Sequence, residues 1–261
     1  MAARRDTIRR IAGAISSLYD SREAESIARM VVMDALGVDF THLVADYDAE
    51  CRIDDLERIV ADLQRGRPVQ YVLEHAEFCG LDFAVREGVL IPRPETAELV
   101  EHIVAETAAG ARILDIGTGS GAIAVALARM IPRASVTAID ISDDALAVAR
   151  ENARRNNAEV IFLKADALGD LLSLGRFDVI VSNPPYVPQS DRASMQINVR
   201  DYEPGSALFV EDDNPLIFYR SIATNAADML TEGGQLWFEI YERYGDDICR
   251  MLAEYGFRDI R

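Results

Sequence analysis

Residues 183–186 read Asn-Pro-Pro-Tyr and follow the apolar run Phe177-Asp178-Val179-Ile180-Val181-Ser182. Each proline fixes its own φ near about −65° and lacks an N–H. Pro185 also pushes Pro184 into an extended conformation. The result is a stiff corner whose carbonyls point outward with few local donors to satisfy them. A rigid turn is one reading. The other is a pocket for a planar –NH2 group, in which the Asn183 side-chain oxygen and the Pro184 carbonyl each accept one N–H. Pro185 then completes the wall and Tyr186 stacks on the flat group.

What such a pocket would work beside is written at residues 114–128, LDIGTGSGAIAVALA. Gly117, Thr118, Gly119, Ser120 and Gly121 fall at a strand-to-helix turn, where a ligand can approach bare backbone. A tight turn without a ligand is the competing reading. Gly117, Gly119 and Ala122 also satisfy the looser dinucleotide fingerprint, with Asp140 ending the next strand where a ribose-binding acid belongs. A nicotinamide-dependent oxidoreductase is therefore a rival. Charge separates the two, because Asp115, two residues before the first glycine, would repel a pyrophosphate and suit a ligand with an ammonium and a sulfonium. S-adenosylmethionine carries both and no phosphate. Asp140 would accept from its two ribose hydroxyls. Asp166 would accept from the adenine amino group, or else cap the turn after its strand.

With the cofactor across the ends of the first three strands, the end of the fourth is the neighbouring position, where open α/β sheets place substrates. Amide and aryl amino nitrogens are poor nucleophiles because their lone pairs are delocalised. Holding both N–H bonds and fixing an in-line approach recruits orientation, worth up to roughly 7–11 kcal/mol for well-aligned reactants, together with electrostatics. Neither a metal nor a histidine is required, and His42, His75 and His102 lack metal-ligand spacing.

The elements that must position these residues follow from periodicity. The 261-residue chain is 49% apolar, enough for a sizeable core without staples. Its three cysteines, Cys51, Cys79 and Cys249, are far apart and read as reduced thiols. No stretch approaches the roughly 20 apolar residues of a membrane span, and the start lacks a signal-peptide core, so a cytoplasmic protein is expected. The net charge of −17 disfavours an extended nucleic-acid groove. Residues 1–73 show helical spacing (Ile8, Ile11, Ile15, Leu18; Ile27, Met30, Val31) with no strand signal. A capping box at Asp20/Glu23 and a stop at Gly37 bound the second helix. A further helix spans Ile53 to Gln64 and stops at Gly66. Residues 74–97 read as a β-hairpin linker, with Phe83, Val85, Val89 and Ile91 flanking Gly88. From 98 to 261 strands and helices alternate: Arg112–Ile116, Ser135–Asp140, Val160–Asp166, Phe177–Ser182 and Gln235–Ile240, with a late helix capped at Asn214-Pro215 and running to Leu230. This predicts an α/β doubly covered, mostly parallel sheet.

GTGSG followed by NPPY resembles the class I, Rossmann-like methyltransferases of planar –NH2 groups, including adenine-N6, guanine-N2 and protein-glutamine enzymes. The stretch GRPVQYVLEHAEFCGLDFAVREGVLIPRPET, with DYEPGSAL (201–208) and GGQLWFEI (233–240), is similar to the HemK/PrmC family, the N5-glutamine methyltransferases of peptide chain release factors. The resemblance covers nearly the whole chain. It implies a helical N-terminal domain that helps hold the release factor while the glutamine of its Gly-Gly-Gln motif enters the pocket, and a product S-adenosylhomocysteine. It implies that Gly117 to Gly121 and Asp140 bind the cofactor, that Ala167 lies beside the adenine, and that Asn183 contacts cofactor and substrate. Ile91-Pro92-Arg93-Pro94-Glu95-Thr96 would cover the methionine end of the cofactor or serve as a rigid linker. A monomer is expected. Three features depart from the pattern: Ala97 replaces an acid, Tyr241 stands in place of glycine, and the chain ends at FRDIR without the usual last strand, which would weaken a sheet edge. Gly233-Gly234-Gln235 copies the substrate motif but reads as a helix stop. The alternatives are an adenine-N6 or guanine-N2 nucleic-acid methyltransferase with the same pocket, the oxidoreductase, and a non-enzymatic cofactor-binding partner of the release factor.

Overall fold

The computed structural model describes residues 2–261; Met1 lies outside the described residues. These residues cluster into two compact units, one running to Glu74 and including Gln196–Tyr202, the other comprising His75–Met195 and Glu203–Arg261.

The first unit is built on helices α1 (Arg4–Ile15), α2 (Ser21–Leu36), α3 (Phe40–Ala45), α4 (Leu56–Gln64) and α5 (Val69–Leu73). Asp20 caps α2 by accepting from the Arg22 and Glu23 N–H groups, and Gly37 ends it at φ 62°. The apolar stripes of these helices meet in one core that includes Ile8, Ile11, Ile15, Ile27, Val31 and Leu63. Each fully buried aliphatic side chain there contributes about 1.5–3 kcal/mol. Leu18, which fits the same spacing, is instead exposed past the end of α1. Helix α4 starts at Leu56 rather than Ile53, because Asp55 before it is left-handed at φ 59°. A strand signal is absent from the sequence here, yet β1 (Ala2–Ala3) pairs antiparallel with β2 (Glu50–Cys51); two-residue strands are too short to show alternation. Gly66 does more than stop α4. A Cβ there would come within 2.6 Å of Ile197 Cγ2, and the Tyr202 hydroxyl donates to the Arg65 carbonyl at 3.0 Å.

The second unit opens with β3 (His75–Phe78) and β4 (Leu81–Ala84), paired antiparallel. The hairpin therefore turns at Cys79-Gly80, not at Gly88. Both turn residues have positive φ, 50° and 71°, as the tight two-residue turn matching strand twist demands. Val89 and Ile91 are buried in the loop that follows. Next come α6 (Pro94–Glu106), β5 (Arg112–Ile116), α7 (Ala122–Met130), β6 (Ser135–Asp140), α8 (Asp143–Arg155), β7 (Val160–Lys164) and β8 (Phe177–Ser182). A short parallel pair joins β9 (Val187–Pro188) to β10 (Phe209–Val210); between them in the chain come α9 (Ile197–Tyr202), which belongs to the first unit, and α10 (Gly205–Leu208). The unit closes with α11 (Ile217–Met229), β11 (Leu230–Phe238) and α12 (Gly245–Glu254).

The sheet has five parallel strands in the order β11-β8-β5-β6-β7. Alternate residues feed its two faces, as strand geometry requires. Ile113, Ala138, Val179 and Val181 join the core with α6 and α7. Leu114, Ile116, Ile139 and Ile180 join the core with α11. Strand order reverses between β5 and β8, so the carboxyl ends of these two strands form the crevice expected of such a sheet.

Further element boundaries differ from the pattern in the sequence. Strand β7 ends at Lys164, before the Asp166 turn. Helix α11 starts at Ile217, because the Asn214 carbonyl closes a turn onto the Ile217 N–H and its side chain is held by Arg220. Gly233-Gly234 lies inside β11, at a register irregularity between Leu230 and Gln235, rather than at a helix stop. No helix among the described residues is long and apolar enough to cross a membrane.

Candidate active site

Register brings the chemistry together. Ile116 and Phe238 are both paired with Ser182, so the residues that follow each strand position, Gly117, Asn183 and Glu239, emerge side by side. Ser182 Oγ donates to the Ile116 carbonyl at 2.6 Å, and the Glu239 N–H donates to the Ser182 carbonyl at 3.1 Å. These bonds lock the three strand ends at one level. Beside them lies a cavity of about 350 Å³ whose wall includes Gly117, Thr118, Gly119, Ser120, Asp140, Asp166, Ala167, Asn183, Pro184 and Pro185. Tyr186 and Gly121 lie off this wall. The Tyr186 ring stacks on Tyr241 at 6.1 Å and 20°, and its hydroxyl donates to Glu239 Oε1 at 3.0 Å.

The glycine loop is shaped to admit a ligand. An ideal Cβ on Gly117 or Gly119 would meet no atom within 4 Å, yet both are left-handed at φ 77° and 54°, where glycine carries no steric cost. Gly121 serves packing instead, since a Cβ on it would sit 3.1 Å from Ala149 Cα. Asn152, on α8, is fully buried and ties the loop to the hairpin. It donates to the Ser120 and Ala84 carbonyls and accepts from the Ala84 N–H.

The acids around the cavity play distinct parts. Asp140 is half-buried and takes the Gly119 and Ser142 N–H groups, one on each oxygen. Each oxygen retains lone-pair capacity for a ligand hydroxyl. Asp166 is exposed, and its Oδ1 accepts from the Leu168 N–H at 2.8 Å, an Asx turn after β7. Its Oδ2 makes no hydrogen bond among the described residues. The sequence suggested that Asp115 presents its charge to a ligand. It is instead buried under the loop, outside the cavity wall, and accepts from Thr118 Oγ1 at 2.6 Å. Burial is the largest cause that pushes its carboxyl up to about 7, with the Asp140 charge adding and the Thr118 hydroxyl opposing.

At the corner itself, Asn183 Nδ2 donates to Thr96 Oγ1 at 3.3 Å, and Thr96 Oγ1 donates to Glu239 Oε2 at 2.5 Å. Neither Asn183 Oδ1 nor the Pro184 carbonyl accepts a hydrogen bond from the described residues. Burial, then the adjacent Glu239, pushes the Tyr186 hydroxyl well above its ordinary value, so it remains a donor. Glu203 is buried and accepts from the Ile91 N–H and the Arg93 guanidinium. Its burial pushes the carboxyl up, against the lowering pull of Arg93. This clamp holds Ile91, Pro92 and Arg93 in the cavity wall.

Thr96, Glu203, Glu239 and Asn152 carry no motif of their own. The first three lie within PRPET, DYEPGSAL and GGQLWFEI, so the same stretches that suggested a family also contained them. Asn152 offered only the sign of an amide on the apolar face of a helix.

The site can hold a planar amide against two unsatisfied oxygens, next to a glycine loop with a half-buried acid at its edge. A family described as "Methyltransferase small domain" matches residues 94–199. A relative from Bacteroides thetaiotaomicron named release factor glutamine methyltransferase is 45% identical, over 95% of this chain and 90% of its own length. A relative of the same name from Flavobacterium psychrophilum is 41% identical, over 94% of this chain and 89% of its own. One from Streptococcus pneumoniae is 39% identical, over 91% and 86%.

Proposed function

The chain belongs to the release factor glutamine methyltransferase family, and from that premise we propose which of its residues perform the reaction. The protein is an S-adenosylmethionine-dependent enzyme that methylates a glutamine side chain of peptide chain release factors. The glutamine is that of the Gly-Gly-Gln motif, and the methyl group goes to its N5. When bound, S-adenosylmethionine supplies a methyl group activated by its positive sulfur and leaves as S-adenosylhomocysteine.

The chain's own residues bind and orient. Gly117, Thr118, Gly119, Ser120 and Gly121 form the loop under the methionine portion, and Asp140 takes the ribose hydroxyls. Asp166 and Ala167 border the adenine, with Asp166 Oδ2 the free acceptor. Asn183 Oδ1 and the Pro184 carbonyl each accept one N–H of the glutamine amide. They turn the nitrogen lone pair toward the methyl carbon and stabilise the positive charge that grows on nitrogen as the new N–C bond forms. The extra proton then passes from the nitrogen to water. Pro185 stiffens the corner. Tyr186, stacked on Tyr241, supports it from behind and does not itself cover the amide.

The single observation that carries this reading is the pair of oxygens at the cavity wall, Asn183 Oδ1 and the Pro184 carbonyl, which no described residue occupies and which are therefore open to the two N–H groups of a ligand amide. We also assign the helical unit the task of holding the release factor, and we place the protein in the cytoplasm as a monomer. The net charge of −17 is unsuited to a long phosphate backbone, which argues against a nucleic-acid substrate. Incubation with radiolabelled S-adenosylmethionine and purified release factor, or nucleic acid in parallel, tests the assignment. Label should appear on the factor's glutamine; label on nucleic acid alone overturns it.

A further inference from the structure

We infer that Thr96 and Glu239 are positioning residues that decide which end of the Asn183 amide faces the substrate. The inference rests on the assigned role of Asn183 and deepens it. An asparagine amide has an acceptor end and a donor end of nearly equal size, so shape alone does not choose between them. Only the acceptor end can receive an N–H of the substrate amide. Turned the other way, two –NH2 groups would face each other.

Counting protons resolves the orientation. Glu239 as a carboxylate can only accept, and it takes Tyr186 Oη–H on Oε1 and Thr96 Oγ1–H on Oε2. The Thr96 hydroxyl has one proton, and that proton is committed to Glu239. Oγ1 is left with lone pairs, so it can accept only from the donor end of Asn183, and Nδ2 lies 3.3 Å away. Oδ1 is thereby directed away from Thr96 and left free for the substrate. Thr96 is itself buried, so water does not compete for its hydroxyl. One carboxylate thus orders both ends of the corner, Asn183 through Thr96 and Tyr186 directly.

The relay has a polarity that a single atom change should reverse. In Glu239→Gln the Tyr186 hydroxyl, which has no other acceptor among the described residues, keeps the glutamine Oε1. The new –NH2 then donates to Thr96 Oγ1, whose proton turns toward Asn183 and attracts Oδ1. The amide flips to its unproductive orientation. Thr96→Val removes the relay without inverting it, and leaves the two orientations comparable. Glu239→Gln should therefore be the worse variant although it is the more conservative one.

The expected results are a loss of at least tenfold in kcat for Glu239→Gln, two- to fivefold for Thr96→Val, and near wild-type kcat for Thr96→Ser. S-adenosylmethionine Kd should stay within about twofold throughout, with unchanged far-UV circular dichroism. The Thr96→Val/Glu239→Gln double variant should return to the Thr96→Val level, since no hydroxyl remains to invert. Losses that multiply in the double variant, a Kd that rises in step with the loss of kcat, or wild-type kcat in Glu239→Gln or Thr96→Val would each overturn the proposal. The Asn183 side-chain amide resonances give a readout that needs no substrate. They should shift in Glu239→Gln and in Thr96→Val, and unshifted resonances also overturn it. If the shifts occur but the wild-type protein fails to label release factor, it is the assigned function that falls.

Discussion

The backbone N–H of Gly119 donates to Oδ2 of Asp140 at 2.8 Å, so the acid at the end of β6 helps set the conformation of the glycine loop that follows β5. Asp140→Ala should therefore cost more than lost contacts to a ribose, because it also releases a left-handed glycine. We expect S-adenosylmethionine to bind at least tenfold more weakly by calorimetry, while Asp140→Asn, which keeps one acceptor, loses less. Equal affinity in wild type and Asp140→Ala would disconnect this acid from the cofactor.

Asn183→Ala removes one of the two acceptors at the corner and leaves the loop intact. Turnover on release factor should fall by at least about a hundredfold, the scale of losing one preorganised hydrogen-bonding group, with cofactor affinity largely retained. Wild-type turnover in this variant would refute the role given to its oxygen.

Asn152→Ala tests stability rather than chemistry. It strands the Ala84 N–H and the Ala84 and Ser120 carbonyls in a buried setting, with a cost of about 2–4 kcal/mol expected from unpaired groups of this kind. A urea unfolding curve with an unchanged midpoint would show that these groups find other partners.

Asp115 supplies a pH dependence with a definite sign. Its carboxyl is raised from 3.8 to about 7 in the fold. From about pH 4 to about pH 7 the folded protein holds a proton that the unfolded chain has released. Its contribution to stability therefore falls as pH rises through that window and is flat above it. Asp115→Asn removes the titration, so its stability relative to wild type should improve between pH 5 and pH 8 by more than about 1 kcal/mol, a one-unit shift being worth about 1.36. A constant gap across that range would show that Asp115 is ionised throughout.

Local turn chemistry was legible in the sequence, and long-range register was not. GTGSG announces backbone that bends and approaches closely, and Asn183-Pro184-Pro185 announces a stiff corner; both messages are carried by adjacent residues. The capping of α2 by Asp20 could be read for the same reason. Thr96 meets Glu239 across 143 positions of chain, and nothing local marks a threonine in the first turn of a helix as the partner of an acid past the end of a strand. Gly88, flanked by alternating apolar residues, imitates a hairpin turn without making one. Cys79-Gly80 makes the real one, with a cysteine in a left-handed position that composition does not suggest. Asp115 is next to the loop in sequence yet points beneath it, because closeness in sequence says nothing about which side of a strand a residue faces.

The helix over Ile197–Tyr202 belongs to the helical unit although it is encoded after the Asn183-Pro184-Pro185 corner. A fragment expressed from the start to Glu74 would thus be missing a piece of itself, with the groove at Gly66 bare where Ile197 should lie. Dissecting this protein for binding work calls for the intact polypeptide, or for a graft that restores those seven residues (196–202) to the shortened chain.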